Sequence, residues 1–583
     1  MGQALCPHDL AGLKAATNIV ELAPLLHFTP KGLSYVVYHI GDAQKYTTFE
    51  IPKRSGGKPI IRAPEARLKL LQQRLQELLQ RCLNELEDPA NPRKALAHGF
   101  VPGKSIITNA RQHQRRRYVL NVDIKDFFPS LNFGRVRGFF ISDNRFALNP
   151  AVATVIAQIA CFNNELPQGS PCSPIVSNLI GHVLDVRLAR LAREHKVTYS
   201  RYADDLTFST NKQDFPQELA RPSTHQPNAW VVGDVLRKEL KRAGFEANDA
   251  KTRLQFAGSR QAVTGLVVNS KVNVPPEYYR STRSMCNSLF GTGSFHVDTP
   301  AGPVPGTWEQ LLGRLSYLWH VKNIADQRRA LEKRQEPAGI KTLFDKTLFY
   351  WHFVANEFPT IVTEGKTDIS YLKLAIGRLV GGYPRLGEMK AGKLLSKVRY
   401  LKFSRVVHEV MQVGGGAGDL KFLVANFRKR STRYKHAPRA HPVIVLVDND
   451  EGGKDIFALA KQLGIPAISM TTVQPFYRIW ENLYLVKTPE KGVVGKSMIE
   501  DLFDPALLKT KLGSKTFDPG QEQEDGSTYG KQVFVERVVR PNAATVNFDG
   551  FKPLLDRIDA VIADYAAVLA AKVHPAQSQQ PAA

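Results

Sequence analysis

The sequence predicts a mixed α+β chain in two parts, an α+β module with antiparallel strands followed by a Rossmann-like α/β module. Three observations lead there. Tyr202-Ala203-Asp204-Asp205 lies in an apolar run between short β-prone segments, and two adjacent carboxylates at a hairpin tip are costly unless they hold something positive. Residues 118–130 (YVLNVDIKDFFPS) open as a buried strand with Asp123 at its end and Asp126 close behind. Beyond residue 358 the apolar runs 359–363 and 441–447 stop at Glu364 and at Asp448 and Asp450 respectively. Acids at strand ends, facing a strand-to-helix turn, lie where α/β sheets place their ligands.

Length and charge bound the rest. A chain of 583 residues with 43% apolar composition implies more than one domain and enough apolar mass for several cores. The formal charge of +25 calls for a polyanionic partner, and +17 of it falls in residues 1–350. Five cysteines, Cys6, Cys82, Cys161, Cys172 and Cys286, show no paired metal spacing and read as reduced thiols. No run approaches the ~20 apolar residues of a membrane span and no basic-then-apolar leader opens the chain, so a cytoplasmic protein without membrane contact is expected.

In chain order, residues 1–50 read as a helical extension, helical from about residue 12 to 26 by apolar spacing. Residues 58–75 (KPIIRAPEARLKLLQQRL) carry Lys58 and Arg62, and Arg suits phosphate because its planar fork binds two oxygens at once. Arg115-Arg116-Arg117 precedes the Asp123 strand and is either a phosphate clamp or a solvated turn; Lys104 and Arg111 on the same segment favour phosphate contact. Residues 166–179 (LPQGSPCSPIVSNL) place Gln168 beside Gly169, where a glycine lets backbone approach a substrate closely. Lys251 follows in AGFEANDAKTR. After Gly265 the chain is expected extended to about residue 276, with a flexible loop around 291–306 and a helix over 308–324. The final HPAQSQQPAA reads as a disordered tail, residues 571–583.

Residues 51–270 resemble the fingers and palm of a reverse transcriptase, with motifs in the expected order. The resemblance makes Asp123, Asp204 and Asp205 the catalytic Mg²⁺ ligands, with Mn²⁺ as an alternative ion. It makes Lys58, Arg62, Gln168, Gly169 and Lys251 contacts for the incoming nucleotide, and residues 271–350 a helical thumb. The implied fold is the right-hand polymerase of fingers, palm and thumb. Asn109-Ala110-Arg111-Gln112-His113 fits an NAxxH pattern and Val263-Thr264-Gly265 a VTG pattern, and together these resemble the retron class. There such regions accompany recognition of a structured RNA, so Asn109, His113, Arg115, Arg116, Arg117, Val263, Thr264 and Gly265 become RNA-contact candidates. The implied reaction copies part of a cognate non-coding RNA from the 2′-hydroxyl of an internal guanosine. The partners are then that RNA, its DNA copy and dNTPs, and an oligomer is left open.

In the second part, alternate residues on an extended chain point the same way, so Asp448 and Asp450 can face one Mg²⁺. A strand-end Glu-Gly paired with a later strand-end Asp-x-Asp resembles the TOPRIM domain of topoisomerases, primases and OLD-type nucleases, here residues 351–570. That resemblance makes Glu364 a general acid or base and Asp448 and Asp450 metal ligands. Asp368 and Glu451 are neighbours. Glu481, Glu500 and Asp501 either complete a nuclease-like site or cap helices, and capping is the plainer reading of each alone. Lys531 is a further phosphate-contact candidate. Residues 414–419 (GGGAGD) lack the Lys-Ser/Thr of a phosphate-binding loop and read as a turn after a strand at 406–413.

Over nearly its whole length the chain resembles a bacterial retron reverse transcriptase fused to a TOPRIM effector. In that family the RNA–DNA product and the polymerase restrain a toxic effector, which phage interference releases. Two other readings stand beside it. One makes the second module a non-catalytic nucleic-acid-binding unit. The other, a group II intron maturase, calls for a maturase-like or His-Asn-His segment after the thumb, and none is visible.

Overall fold

One asparagine divides the helix expected over 12–26. Asn18 accepts hydrogen bonds from the Val20 and Glu21 amides and caps a new start, so α1 Asp9–Ala15 and α2 Ile19–Leu25 replace one continuous element. The computed structural model describes residues 9–51, 60–87, 96–224, 229–326, 328–329, 332, 338–465, 467–492, 495–520 and 526–573. Lys58, Cys6 and all but the first three residues of the expected tail lie outside them. The chain divides into two units, residues 1–278 with 321–327 and residues 279–320 with 328–583.

In the first unit, β1 Tyr46–Glu50 and β2 Ile60–Pro64 form an antiparallel pair, followed by α3 Ala66–Leu86. Leu68, Leu71, Leu75, Leu78 and Leu79 of α3 are buried at helical intervals while its other faces carry Arg, Lys and Gln. Then come α4 Ile106–Arg111, β3 Tyr118–Ile124 and the 22-residue α5 Ser173–Glu194. After them follow β4 Thr198–Tyr202, β5 Asp205–Thr210 and β6 Ala247–Phe256. These four strands make an antiparallel sheet in the order β4-β5-β3-β6. Leu120, Val122 and Ile124 alternate inward from β3, and with Leu206, Phe208 and α5 residues Leu184 and Leu188 they form the core beneath the acids. Beyond β6, β7 Ala262–Val263 and β8 Leu266–Val267 pair as a short ribbon.

The division between the units falls inside α6 Pro276–Thr292 and α7 Trp308–Ala325, so residues 271–350 form no body of their own. Phe290 of α6 packs its ring on Tyr350 and Tyr434 within the second unit. The loop expected around 291–306 is an antiparallel hairpin, β9 His296–Thr299 with β10 Gly302–Pro305, turned by Gly302 at φ +109°.

The second unit continues with α8 Gly339–Phe349, β11 Thr360–Val362, α9 Lys366–Leu379 and β12 Arg399–Tyr400. Next come α10 Ala417–Ser431, β13 Val443–Val447 and α11 Glu451–Gln462. β14 Tyr477–Trp480, β15 Leu483–Lys487 and α12 Lys552–Val573 complete it. Its sheet runs β12-β11-β13-β15-β14, parallel except for the edge strand β14. All five β13 residues are buried, as a central parallel strand covered on both faces requires. The strand expected at 406–413 is instead a wide helical turn, Val407–Met411. An i,i+4 ion pair from Arg405 to Glu409 favours that helix, and Gln412 ends it in the left-handed region. Cys82, Cys161, Cys172 and Cys286 are free thiols. Among the described residues no helix is long and apolar enough to cross a membrane.

Candidate active site

Tyr202 pairs with Asp205, leaving Ala203 and Asp204 as the two turning residues of the β4–β5 hairpin. Ala203 takes φ +55°, the left-handed conformation such tight turns demand. For a residue with a Cβ this costs roughly 1–2 kcal/mol, so something must hold it. Arg201, with no exposed surface, donates from Nη1 to the Ala203 carbonyl at 3.1 Å and makes two 2.8 Å bonds to buried Asp185 on α5. Asn178, also on α5, accepts from the same Nη1 at 3.2 Å and donates to the Gly99 carbonyl.

On the next strand Asp123 lies in register with Asp205, and the Ile124 amide donates to the Asp204 carbonyl at 2.9 Å. The three aspartates therefore share one end of the sheet. Burial, together with the charges of Asp204 and Asp123, pushes the Asp205 carboxyl up to about 6. From β6, Lys251 Nζ stands 3.0 Å from both Asp123 carboxylate oxygens, and Asn248 donates to one of them at 3.2 Å. Among the described residues no three His, Cys, Asp or Glu side chains stand close enough, as placed, to hold a metal ion. The donor set nevertheless fits a hard divalent cation, since carboxylates that raise one another's proton affinity are relieved most by positive charge.

The predicted nucleotide contacts come together in part. Gly169 takes φ +122°, and a Cβ there would lie 2.6 Å from the Arg62 carbonyl oxygen. The Arg62 amide donates to the Gln168 carbonyl at 2.8 Å, and its guanidinium is ion-paired with Glu165. Arg62, Gln168 and Gly169 thus form one backbone junction, while Lys251 lies with the aspartates.

The predicted RNA contacts divide differently. Asn109 and His113 are completely buried, which corrects their reading as contact residues. The His113 ring is bonded to Ser209 and Ser200 at 2.7 Å each, and Ser200 donates to Asn109 at 2.6 Å. Burial, with nearby Arg116 and His98, drives His113 down to about 3, so it stays neutral. Both residues therefore pin α4 to β4 and β5. Val263 is buried too, while Thr264 donates to the Ile106 carbonyl of α4, so the two short patterns meet in space. Gly265, Arg115 and Arg117 are exposed and Arg116 is half-buried.

The second acidic cluster is more deeply set. Glu364 follows β11 and accepts from the Asp448 amide at 3.3 Å, while Asp448 Oδ1 accepts from the Ile499 amide at 3.0 Å. Asp368 closes the first turn of α9 through the Gly365 amide. Asp450 caps α11 through the Gly453 amide, and Gly452 leaves room between Asp450 and Glu364. Glu500 is buried, which corrects its reading as a helix cap, and it receives Lys531 Nζ at 3.0 Å. Asp501 does cap, through the Met498 amide.

Burial, reinforced by Asp368, Glu500 and Glu364, pushes Asp448 up to about 8. Burial raises Glu364, Asp368 and Glu500 as well. It works against the Lys531 ammonium, but Glu500, Asp448 and Asp368 outweigh it and hold that group above its ordinary value. Glu451 and Glu481 stand apart, paired with Lys454 and Arg439. The GGGAGD segment is more than a turn: the Gly416 amide donates to the Glu364 carbonyl at 2.8 Å and α10 starts there.

Sequence reasoning missed Arg201 and Asp185, which hold the Asp204 turn from beneath. No local pattern marks them, because their pairing spans two elements of the fold.

Residues 51–269 match the family described as reverse transcriptase (RNA-dependent DNA polymerase). The retron Mx65 reverse transcriptase of Myxococcus xanthus is 36% identical over 312 residues, 50% of this chain and 65% of that one. The retron Mx162 reverse transcriptase of the same organism is 33% identical over 56% of this chain and 68% of that one. The retron Ec86 reverse transcriptase of Escherichia coli is 29% identical over 50% and 84%. The match thus spans about two thirds of the Myxococcus relatives and half of this chain. A telomerase structure from Candida tropicalis aligns over 52% of this chain and 56% of its own at 15% identity, with a TM-score of 0.28, too loose to bear on function. With a curated relative one third identical over more than two thirds of its length, and the aspartate-bearing sheet inside the matched segment, the chain belongs to the retron reverse transcriptase family.

Proposed function

We propose that the first unit is an RNA-directed DNA polymerase that copies part of a cognate structured RNA into RNA-linked single-stranded DNA, primed from an internal guanosine 2′-hydroxyl. The observation that carries it is the register of Asp123 with Asp205 beside the Asp204 turn, braced by the buried Arg201–Asp185 pair. Asp123, Asp204 and Asp205 would hold Mg²⁺, which lowers the proton affinity of the attacking hydroxyl and neutralises charge on the leaving pyrophosphate. Lys251 adds a cation at the same sheet end, and Arg62 with the Gln168-Gly169 backbone shapes the floor for the nucleotide. Exposed Arg115 and Arg117 supply phosphate contacts for the RNA, while Asn109 and His113 position the segment that carries them.

The test is to purify the protein from cells carrying its native flanking DNA. The bound nucleic acid is then run on denaturing gels with and without RNase, beside an Asp204→Ala/Asp205→Ala control. A discrete DNA that shifts on RNase treatment and is missing from the control is expected. RNA alone, or heterogeneous DNA, would overturn the priming mode.

For the second unit we infer a TOPRIM-like effector in anti-phage defence, with Glu364 as acid or base and Asp448 and Asp450 as Mg²⁺ ligands for nucleic-acid cleavage. The convergence of Glu364, Asp448 and Asp450 at adjacent parallel strand ends supports it. A second reading is a module that binds nucleic acid without cleaving it. Host toxicity on release from the RNA–DNA partner, abolished by Glu364→Ala, supports the effector; toxicity that survives the substitution supports the binding module.

A further inference from the structure

The second unit contains a cavity of about 240 Å³ apart from both acidic clusters. One wall is a face of α10 and the residues just after it, where Phe422, Lys429, Arg430 and Arg433 recur at helical spacing. The facing wall is α8, with Lys341 and Asp345. Four cations therefore meet one acid. Arg430 is already spent: it is buried, paired with Asp345, and lies 4.4 Å over the Phe349 ring.

Lys429 and Arg433 are different. Both are exposed at the cavity, and among the described residues neither side chain forms a hydrogen bond or ion pair. The Arg433 charge is felt nearby: it acts on Asp345 alongside Arg430, and Lys346 is held below its ordinary value first by burial and then by that charge. Phe422 presents its ring at 41% exposure beside these cations. It stands two helical turns, ~10 Å, from Lys429, and Arg433 lies further on. A nucleoside with a short phosphate chain spans that separation; a bare phosphate does not.

We propose that this cavity binds a nucleotide, with Phe422 stacking on the base and Lys429 and Arg433 holding the phosphates above a rigid Arg430–Asp345 floor. The ligand chemistry is base plus phosphate, whether as a free nucleoside polyphosphate or as the end of a single strand. The site does not depend on the polymerase reading. It does lie on the helix whose N-cap residue, Gly416, donates its amide to the Glu364 carbonyl.

The test titrates the full-length protein with ATP by calorimetry in EDTA, which removes metal-supported nucleotide binding at either carboxylate site. Competition with inorganic triphosphate and with a short single-stranded DNA follows. Lys429→Glu/Arg433→Glu should weaken ATP binding about tenfold or more, as expected for losing two charge-assisted phosphate contacts. Phe422→Ala should weaken ATP but leave triphosphate unchanged. DNA that displaces ATP in a charge-reversal-sensitive way assigns the ligand to a strand end; DNA that does not displace it assigns a free nucleotide. All these side chains are exposed, and Lys429→Ala/Arg433→Ala repeats the test should the reversal disturb folding. ATP binding that is absent, or indifferent to both charge variants, overturns the proposal. So does triphosphate binding as tight as ATP together with no effect of Phe422→Ala.

Discussion

The two acidic sites use the same side chains and balance their charge in opposite ways. At the first, the buried charges are a matched pair, Arg201 with Asp185, beneath the turn, and the aspartates sit at the edge with Lys251 against Asp123. At the second, Glu364, Asp368, Asp448 and Glu500 are drawn inward around the ammonium of Lys531. Burial raises both groups first. At Asp448 it is joined by three neighbouring carboxylates against the Lys531 ammonium, so Asp448 rises to about 8, while at Asp205 it is joined by two against Lys251 and the rise is only to about 6.

The largest expected effect separates the sites functionally. Asp205→Asn should reduce DNA synthesis at least about a thousandfold, ~4 kcal/mol of transition-state stabilisation, while Asp448→Asn leaves synthesis unchanged. Primer-extension assays on both variants check this, and equal losses would break the comparison. Next in size is the support: Arg201→Met strands Asp185 in the core and should cost on the order of 3–5 kcal/mol, read by denaturant melts.

A pH scan then sharpens the contrast. Asp448 moves from an ordinary 3.8 to about 8 in the folded chain, so between those values the folded state binds the extra proton. Its stabilising contribution is complete below 3.8 and lost as pH rises through about 8. In EDTA the melting temperature should fall towards alkaline pH, and Asp448→Asn should flatten that fall, by several degrees at its upper end.

The smallest effect has the opposite sign. His113 drops from 6.5 to about 3 on folding, so its contribution is complete above 6.5 and lost as pH falls towards 3. His113→Ala should cost ~1–3 kcal/mol through the orphaned serine hydroxyls and remove part of the acid sensitivity. A variant that keeps full stability but loses RNA binding would restore a direct contact role.

The Asp204 turn was legible because it is local, two strand-like runs flanking a short connection, and Asp123 was legible as an acid at a strand end; that it pairs in register with Asp205 came only with the sheet. The Asn109 and His113 pattern was legible as a pattern but misread in sense. A polar pair on a basic helix looks solvated until β4 and β5 supply Ser200 and Ser209 as partners. Glu500 reversed in the same way, from cap to buried acid, because its partner Lys531 arrives from a different element. The helical turn at 407–411 was read as a strand because a short apolar run does not distinguish the two periods.

The sequence by itself determined the α+β and α/β character of the two units and which acids end their strands, since hydrophobic period and strand-end chemistry are properties of neighbouring residues; the order of strands within each sheet came only with the fold. Only the tertiary structure decided which of those acids keep their charge. Ionisation depends on burial and on the charges nearby, and at both sites the opposing ammonium, Lys251 at Asp205 and Lys531 at Asp448, reaches its place through packing between elements that the chain itself keeps far apart.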